Sequence, residues 1–273
     1  MLAPDNHPMP HSPWQQRMQR AQDLMEQHAF AAEILEFYVQ VAGFQEALYR
    51  QLERAARRRP LPDSIDDVSA EPLSLLASQF DSFLSLVRKY GPAPLAKLAH
   101  ELRERGNDFS RDLLQNAWRM QTPSDAQGFL AQAFLQPYAE LVRSQAPLPP
   151  AAGSYASCPF CHRKPSLGVL RPMGEGAARS LVCGFCLAEW TFRRLVCPAC
   201  GEEDDKKLPV FTASEFDYIR VECCEACKTY LKTIDLTKNG RADPLVDELA
   251  SAPLDLWARE HGYGKLQPNL LGM

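Results

Sequence analysis

Residues 183–200 read CGFCLAEWTFRRLVCPAC, two Cys-x-x-Cys turns separated by ten residues. Cys158-Pro-Phe-Cys161 lies upstream and Cys224-Glu-Ala-Cys227 downstream. With Cys223 these account for all nine cysteines, and residues 1–157 contain none. The region is an internal repeat: 21 residues separate the first pair from the second, and 23 separate the third from the fourth. Both units begin Cys-Pro-x-Cys, and an aromatic follows each closing pair, Trp190 in one and Tyr230 in the other. An odd count in tight pairs, with no export signal at the N-terminus, speaks against a disulfide framework and for metal binding in a reducing compartment.

The chemistry follows from the spacing. A Cys-x-x-Cys turn supplies two thiolates from one tight loop, whose backbone N–H groups can face the sulfurs. Two such turns make a closed, tetrahedral four-thiolate site with metal–sulfur bonds of roughly 2.3 Å. Closed sites are structural or electron-transferring, because no coordination position is left for substrate. Zinc bound this way contributes on the order of 10–16 kcal/mol, enough to fold a small module. Redox dithiols of the thioredoxin kind are the competing reading, but they need the pair at a helix N-terminus in a βαβ unit. Proximity favours Cys158/Cys161 with Cys183/Cys186 and Cys197/Cys200 with Cys224/Cys227, although a swapped pairing also satisfies the count. Cys223 offers an alternative Cys-x-x-x-Cys register; the repeat favours Cys224.

Working outward, the runs around Leu167–Leu170, Leu181–Val182, Trp190–Val196, Tyr218–Val221 and Thr229–Leu236 read as short strands, too small to build a core without metal. Upstream, Ala146–Gly153 is Pro-rich and marks a linker over residues 146–157. Residues 13–145 read as an all-helical bundle. Ser12-Pro13 opens the first helix as N-cap and first helical residue. Phe30, Ile34, Phe37, Val41, Phe44, Leu48 and Leu52 form the apolar stripe of the second, which stops before Arg57-Arg58-Arg59-Pro60. Leu73, Leu76, Phe80, Phe83 and Val87 mark a third, and Pro94–Arg105 and Asp108–Gln121 two shorter ones. A further helix opens at Thr122-Pro123 with Asp125 in its capping position, places Leu130, Phe134, Tyr138 and Leu141 inside, and is expected to kink or divide at Pro137. Residues 1–12 read as a flexible arm. Modules span 158–196 and 197–240, and 241–273 form a C-terminal helix, with Leu245, Leu249 and Trp257 among its apolar positions, and an irregular tail after His261.

Composition excludes several classes. The 273 residues are 45% hydrophobic and 23% charged with net charge −4, so the chain is neither disordered nor generally basic. Residues 158–273 carry 15 Lys and Arg against 16 Asp and Glu, which argues against nucleic acid. The most apolar segment, Ala29–Phe44, contains Glu33, Glu36 and Gln40, so membrane insertion is not expected. No GxSxG, P-loop, GxGxxG or HExxH is present, and no enzyme is expected. His28, His100 and His162 read as surface or packing residues, Arg57–Arg59 as a solvated helix end, and Trp190 as packing over the metal module with Glu189 in solvent.

CPFC (158–161), CGFCLAEW (183–190), RLVCPAC (194–200), CEACKTYLK (224–232) and DPLVDELASAPLDLWAREHGY (243–263) together resemble the formate dehydrogenase accessory protein family. The likeness is specific over 158–273 and looser over the helical half. It implies a multi-domain α and small β fold, in which a helical bundle precedes two tandem rubredoxin-like (zinc-ribbon-like) four-cysteine modules and a helical tail. By correspondence the ligands are Cys158, Cys161, Cys183, Cys186, Cys197, Cys200, Cys224 and Cys227. Iron is favoured by the resemblance, and zinc fits the same donors. A further implication is a cytoplasmic, non-catalytic assembly factor that docks the catalytic subunit of formate dehydrogenase before export. Glu189 and Trp190 are candidate partner-binding residues. Many related turns carry Gly where this sequence has His162. A rubredoxin-type electron carrier and a zinc-ribbon nucleic-acid binder are the alternatives.

Overall fold

The computed structural model describes residues 12–57, 70–121, 126–145, 155–269 and 272, with side chains placed from residue 76 in the second of these stretches. The arm over residues 1–11, the end of the second helix at Arg58–Pro60, the Leu73 side chain, the Thr122–Asp125 helix start and residues 146–154 of the linker lie outside the described residues.

Six helices form the first half: α1 (Pro13–Gln27), α2 (Ala32–Ala56), α3 (Ala70–Tyr90), α4 (Ala93–Glu104), α5 (Gly106–Trp118) and α6 (Ala126–Gln145). The start of α1 follows the expected chemistry. The Ser12 hydroxyl accepts from the Gln15 amide, the Gln15 side chain accepts from the Ser12 amide, and Pro13 needs no acceptor. The stripe on α2 is broader than a single row, because Leu35, Tyr38, Ala42 and Gln45 are buried beside Phe37, Val41 and Leu48. Phe30 departs from that stripe. It lies in a 3-10 turn before α2 and is 52% exposed. Phe44, Phe80, Phe83 and Phe134 pack ring to ring between α2, α3 and α6. Arg103 on α4 makes a two-pronged ion pair with Asp81 on α3 at 2.7 and 3.0 Å.

Helix α6 is central, with Leu130, Phe134, Tyr138 and Leu141 all buried as the periodicity predicts. Pro137 does not divide it. Proline removes the N–H that would bond the Ala133 carbonyl four residues back. The buried Gln45 of α2 donates to that carbonyl instead, at 2.7 Å.

The second half is one seven-stranded sheet, ordered β3-β2-β1-β6-β5-β4 with β7 also on β6. Its strands are β1 (Pro165–Met173), β2 (Gly176–Cys183), β3 (Glu189–Thr191), β4 (Val210–Ala213), β5 (Phe216–Cys223), β6 (Thr229–Asp235) and β7 (Gly264–Lys265). The two repeats are thus fused. Parallel pairing of β1 with β6, Gly168 facing Thr233, joins one antiparallel unit to the other. A Cβ on Gly168 would lie 2.3 Å from the Thr233 hydroxyl oxygen, so any other residue there forces Thr233 to shift where the halves meet.

Five expectations are corrected here. β3 is only three residues long, and β4 is an additional edge strand. The helix from Asp243 is two helices, α7 (Pro244–Ala250) and α8 (Ala252–Glu260). The tail after His261 is not irregular throughout, because Gly264 and Lys265 pair in parallel with Thr229 and Tyr230. The strands also have an apolar core of their own: Phe216, Ile219, Val221, Tyr230 and Ile234 bury against Leu254, Ala258 and Tyr263. Two-residue strands and edge strands carry too little periodicity to stand out in a sequence.

A continuous apolar core runs from the helices into the first four-cysteine unit, joining Leu114, Ala117, Trp118 and Phe134 to Phe160, Leu181, Phe185 and Trp190. Arg20 of α1 grips the buried Asp247 of α7 through Nε at 3.0 Å and Nη2 at 2.5 Å, and Tyr218 donates to the same carboxylate at 2.7 Å.

Candidate metal centres

The eight cysteines of the four turns gather into two groups, Cys158/Cys161/Cys183/Cys186 and Cys197/Cys200/Cys224/Cys227. Within each group the sulfurs lie within 4.8 Å of one another. In the first, Cys158–Cys186 and Cys161–Cys183 are 3.5 and 3.4 Å apart; in the second, Cys197–Cys227 and Cys200–Cys224 are both 3.7 Å. A tetrahedron with metal–sulfur bonds of about 2.3 Å has edges of about 3.8 Å; the two short edges of the second group match it and those of the first are slightly shorter, so both groups are compatible with a tetrahedral ion. A disulfide needs about 2.05 Å, and every cysteine is a free thiol.

All four turns share one hydrogen-bond register. The amide of each first cysteine donates to the carbonyl five residues on: Cys158 to Arg163, Cys183 to Ala188, Cys197 to Glu202, Cys224 to Thr229. The residue after each second cysteine donates back to the first cysteine's carbonyl, from His162, Leu187, Gly201 and Lys228. That return forces a left-handed backbone, with φ of 61°, 55°, 80° and 56°. Only Gly201 advertises this in the sequence. His162 adopts the same conformation as the others, so the turn geometry is unchanged by its side chain. Amides also face sulfur: Cys161 N–H to Cys158 Sγ at 3.5 Å, Phe185 N–H to Cys183 Sγ at 3.4 Å and Ala199 N–H to Cys197 Sγ at 3.4 Å.

Electrostatics point the same way. Hydrogen bonds from Cys158, Cys183 and Cys186 hold Cys161 well below the usual thiol range, while burial holds Cys183 well above it. In the second group burial pushes Cys224 up to about 12. Burial also acts against ionisation of Cys227, but the hydroxyl and amide of Thr229, with the neighbouring thiols, outweigh it and bring that thiol down to about 7. Four thiolates crowded in a protein interior repel one another and have lost their water, and a cation at the centre resolves both.

The surroundings of the two groups differ. Cys158, Cys161, Cys183 and Cys186 are all buried under the helices. Arg163 donates to the carbonyls of Ala117 and Trp118 at the end of α5, at 2.6 and 3.2 Å, and lies over the Phe185 ring. Gln136 of α6 donates to the Gly184 carbonyl at 2.8 Å. Sequence reasoning missed both residues; an Arg two positions after a cysteine has no distinctive spacing. In the second group Cys200 is exposed and Cys227 half-buried.

The remaining candidates fall elsewhere. Cys223 lies outside both groups, on the inward face of β5 beside Ile219 and Val221, and burial pushes its thiol up to about 12. His28 faces Glu215 at 3.2 Å and the Phe216 ring, linking the helices to the β4–β5 hairpin. His100 sits one helical turn from Glu104 on exposed α4 surface. Arg57 is exposed beside Glu53. Glu189 is not simply solvated, because Arg171 on β1 holds both its oxygens at 2.7 Å. Trp190 is 7% exposed and its Nε1 donates to the Tyr155 carbonyl at 2.8 Å, so the indole is occupied in packing the first unit. No helix among the described residues is long and apolar enough to cross a membrane.

Comparison with known proteins matches residues 157–194 to the FdhE central domain and residues 195–271 to the FdhE C-terminal domain. The chain is 41% identical over 116 residues to a protein FdhE homolog of Aquifex aeolicus, covering 42% of this chain and 41% of that one. A Pseudomonas putida FdhE homolog is 37% identical over 128 residues and 39% of its length. The chain thus matches about two fifths of the length of these relatives. A Haemophilus influenzae FdhE homolog aligns at 26% identity over 94% of this chain and 87% of its own. The crystal structure of the FdhE protein from Pseudomonas aeruginosa superposes with a TM-score of 0.62, covering 96% of this chain and 97% of that one at 24% identity, so the fold is shared end to end.

Proposed function

Through its two four-cysteine domains the chain belongs to the FdhE family, and on that premise we propose that it is a non-catalytic, metal-binding accessory protein needed to produce active formate dehydrogenase. The observation that carries this reading is the pair of four-sulfur groups, each with its sulfurs within 4.8 Å of one another, a donor set that fills a tetrahedral ion and leaves no open position for substrate. The eight cysteines hold the ions, iron or zinc, and each ion fastens two turns of the sheet into a rigid surface. The protein works in the cytoplasm, docking the catalytic subunit before export.

The docking face includes the Glu189 turn. There the Arg171–Glu189 pair lies at the surface, and buried Trp190 supports it from within rather than acting as the anchor. Neither nucleic acid nor membrane belongs in this reading, since the cysteine-bearing half has no excess of cations. An electron-carrier role finds support in one feature, the exposed Cys200 edge of the second group.

A strain lacking this protein should make the catalytic polypeptide yet oxidise little formate. Purified protein should capture the catalytic subunit, and Glu189→Lys should weaken capture while leaving metal content and helicity unchanged. Full formate oxidation in the deletion strain, with no related accessory protein present, removes the assignment. Capture unaffected by Glu189→Lys removes only the docking face.

A further inference from the structure

The two four-sulfur groups carry the same ligands in the same turn geometry, yet the fold places them in opposite surroundings. A bound ion in a closed four-thiolate shell leaves only when one sulfur swings away and an external donor takes its place. The rate is then set by how far the protein must open to let that happen.

Around the first group this opening is large. Its sulfurs belong to residues no more than 2% exposed, inside the core shared with α5 and α6. Arg163 ties the first turn to the end of α5, and Gln136 ties the second to α6. Trp118 lies edge-on to Phe185 at 5.6 Å. Exposing any of these sulfurs means parting the helices from the sheet.

Around the second group the opening is small. Cys200 is exposed and Cys227 half-buried, while only Cys197 and Cys224 are covered. The turn holding Cys200 continues into Gly201–Asp205, where Gly201, Glu203, Asp204 and Asp205 are exposed. Its surface contacts are polar and local, with Lys207 bonded to Glu202 and Arg193 to Glu203. Cys200 belongs to none of the apolar cores of the described residues, so it can swing outward without opening one.

We propose that the second centre, Cys197/Cys200/Cys224/Cys227, is an exchangeable metal site entered through Cys200, and that the first centre keeps its ion for the life of the fold. The external donor is a small thiol- or nitrogen-bearing ligand. One Cys200 sulfur–metal bond gives way to one donor–metal bond, and no electrons change hands. This rests on the reading that both groups bind metal, and the measurements below separate the two.

Protein loaded with two zinc ions is mixed with excess 4-(2-pyridylazo)resorcinol, and released zinc is followed by absorbance. Two phases of one ion each are expected, at least about tenfold apart in rate because one needs local and the other domain-scale opening. Cys200→Ser should bind about one ion, released at the slow rate. In unmodified protein, a pulse of N-ethylmaleimide read by mass spectrometry should mark Cys200 and then Cys227 as the fast ion leaves. Cys158, Cys161, Cys183 and Cys186 should remain unlabelled through that phase. Release of both ions in one phase, a fast phase surviving in Cys200→Ser, or early labelling of the first group overturns the proposal. Folded protein that binds no zinc removes the metal reading itself.

Discussion

Gln45 of α2 donates to the Ala133 carbonyl of α6, the acceptor that Pro137 leaves without its helical partner. A cross-helix hydrogen bond therefore replaces the one that proline removes, and α6 passes through the core unbroken. Gln45→Leu should destabilise the protein by about 1–3 kcal/mol, the cost of an unsatisfied buried carbonyl. In the Pro137→Ala background, where the helix supplies its own N–H, the same substitution should cost less. Urea denaturation of the four proteins of this double-mutant cycle gives the coupling. Equal costs in both backgrounds refute the link.

The parallel joint between the two cysteine units makes a second prediction. Gly168→Ala places a methyl against Thr233 and should cost on the order of 1–3 kcal/mol through overpacking. Thr233 Oγ1 is buried and has no hydrogen-bond partner among the described residues, so Thr233→Ala should be mild alone and should recover much of the loss when combined. Thermal melts of the single and double variants test this.

Left-handed backbone at residue 162 predicts an asymmetry between substitutions. His162→Gly should stabilise metal-loaded protein by up to about 1 kcal/mol, since glycine adopts φ of 61° without the side-chain penalty, less its own entropy cost. His162→Val should lower stability, because a β-branched side chain fits that region poorly. Denaturation midpoints moving the same way in both variants would contradict the turn geometry.

A buried ionic cluster sets a pH dependence. Lys232 Nζ lies 2.6 Å from Asp255 and 3.1 Å from Glu248, and Lys265 contacts both carboxylates. Burial alone would push the Asp255 carboxyl up, but the two ammonium groups outweigh it and hold it below its ordinary 3.8. A depressed carboxylate contributes stability that is present above the unfolded value and lost as pH falls through the folded one. Asp255→Asn should therefore cost about 3–5 kcal/mol near neutrality, by leaving buried ammonium charge uncompensated. The gap to unmodified protein should narrow below pH 3.8. A constant gap across that range would exclude the linkage.

Cys158→Ser should reach beyond its own turn. The first centre shares a core with Ala117, Trp118 and Phe134, so loss of its metal should lower the melting temperature of the helical circular-dichroism signal as well. Cys200→Ser, at the exposed centre, should leave that signal nearly unmoved. Helical melting indifferent to Cys158→Ser would mean that the helices stand alone.

The sequence by itself determined the pairing of eight cysteines into four turns, the division into helical and cysteine-bearing halves, the Ser12–Pro13 helix start and the inner face of α6. Each is a local pattern: a ligand spacing, a capping residue or a period of three and four, carried by neighbours in the chain whatever lies beyond them. Only the tertiary structure decided that the two repeats share one sheet through Gly168 and Thr233, that Gln45 answers Pro137, and that Arg171 pairs with Glu189. It alone distinguished the buried centre from the exposed one. These are contacts between residues tens of positions apart, created when side chains compete for the same interior. Two turns identical in spacing can therefore end in opposite surroundings: which of them meets the helices is settled by packing, and a Cys-x-x-Cys motif carries no mark of what will lie against it.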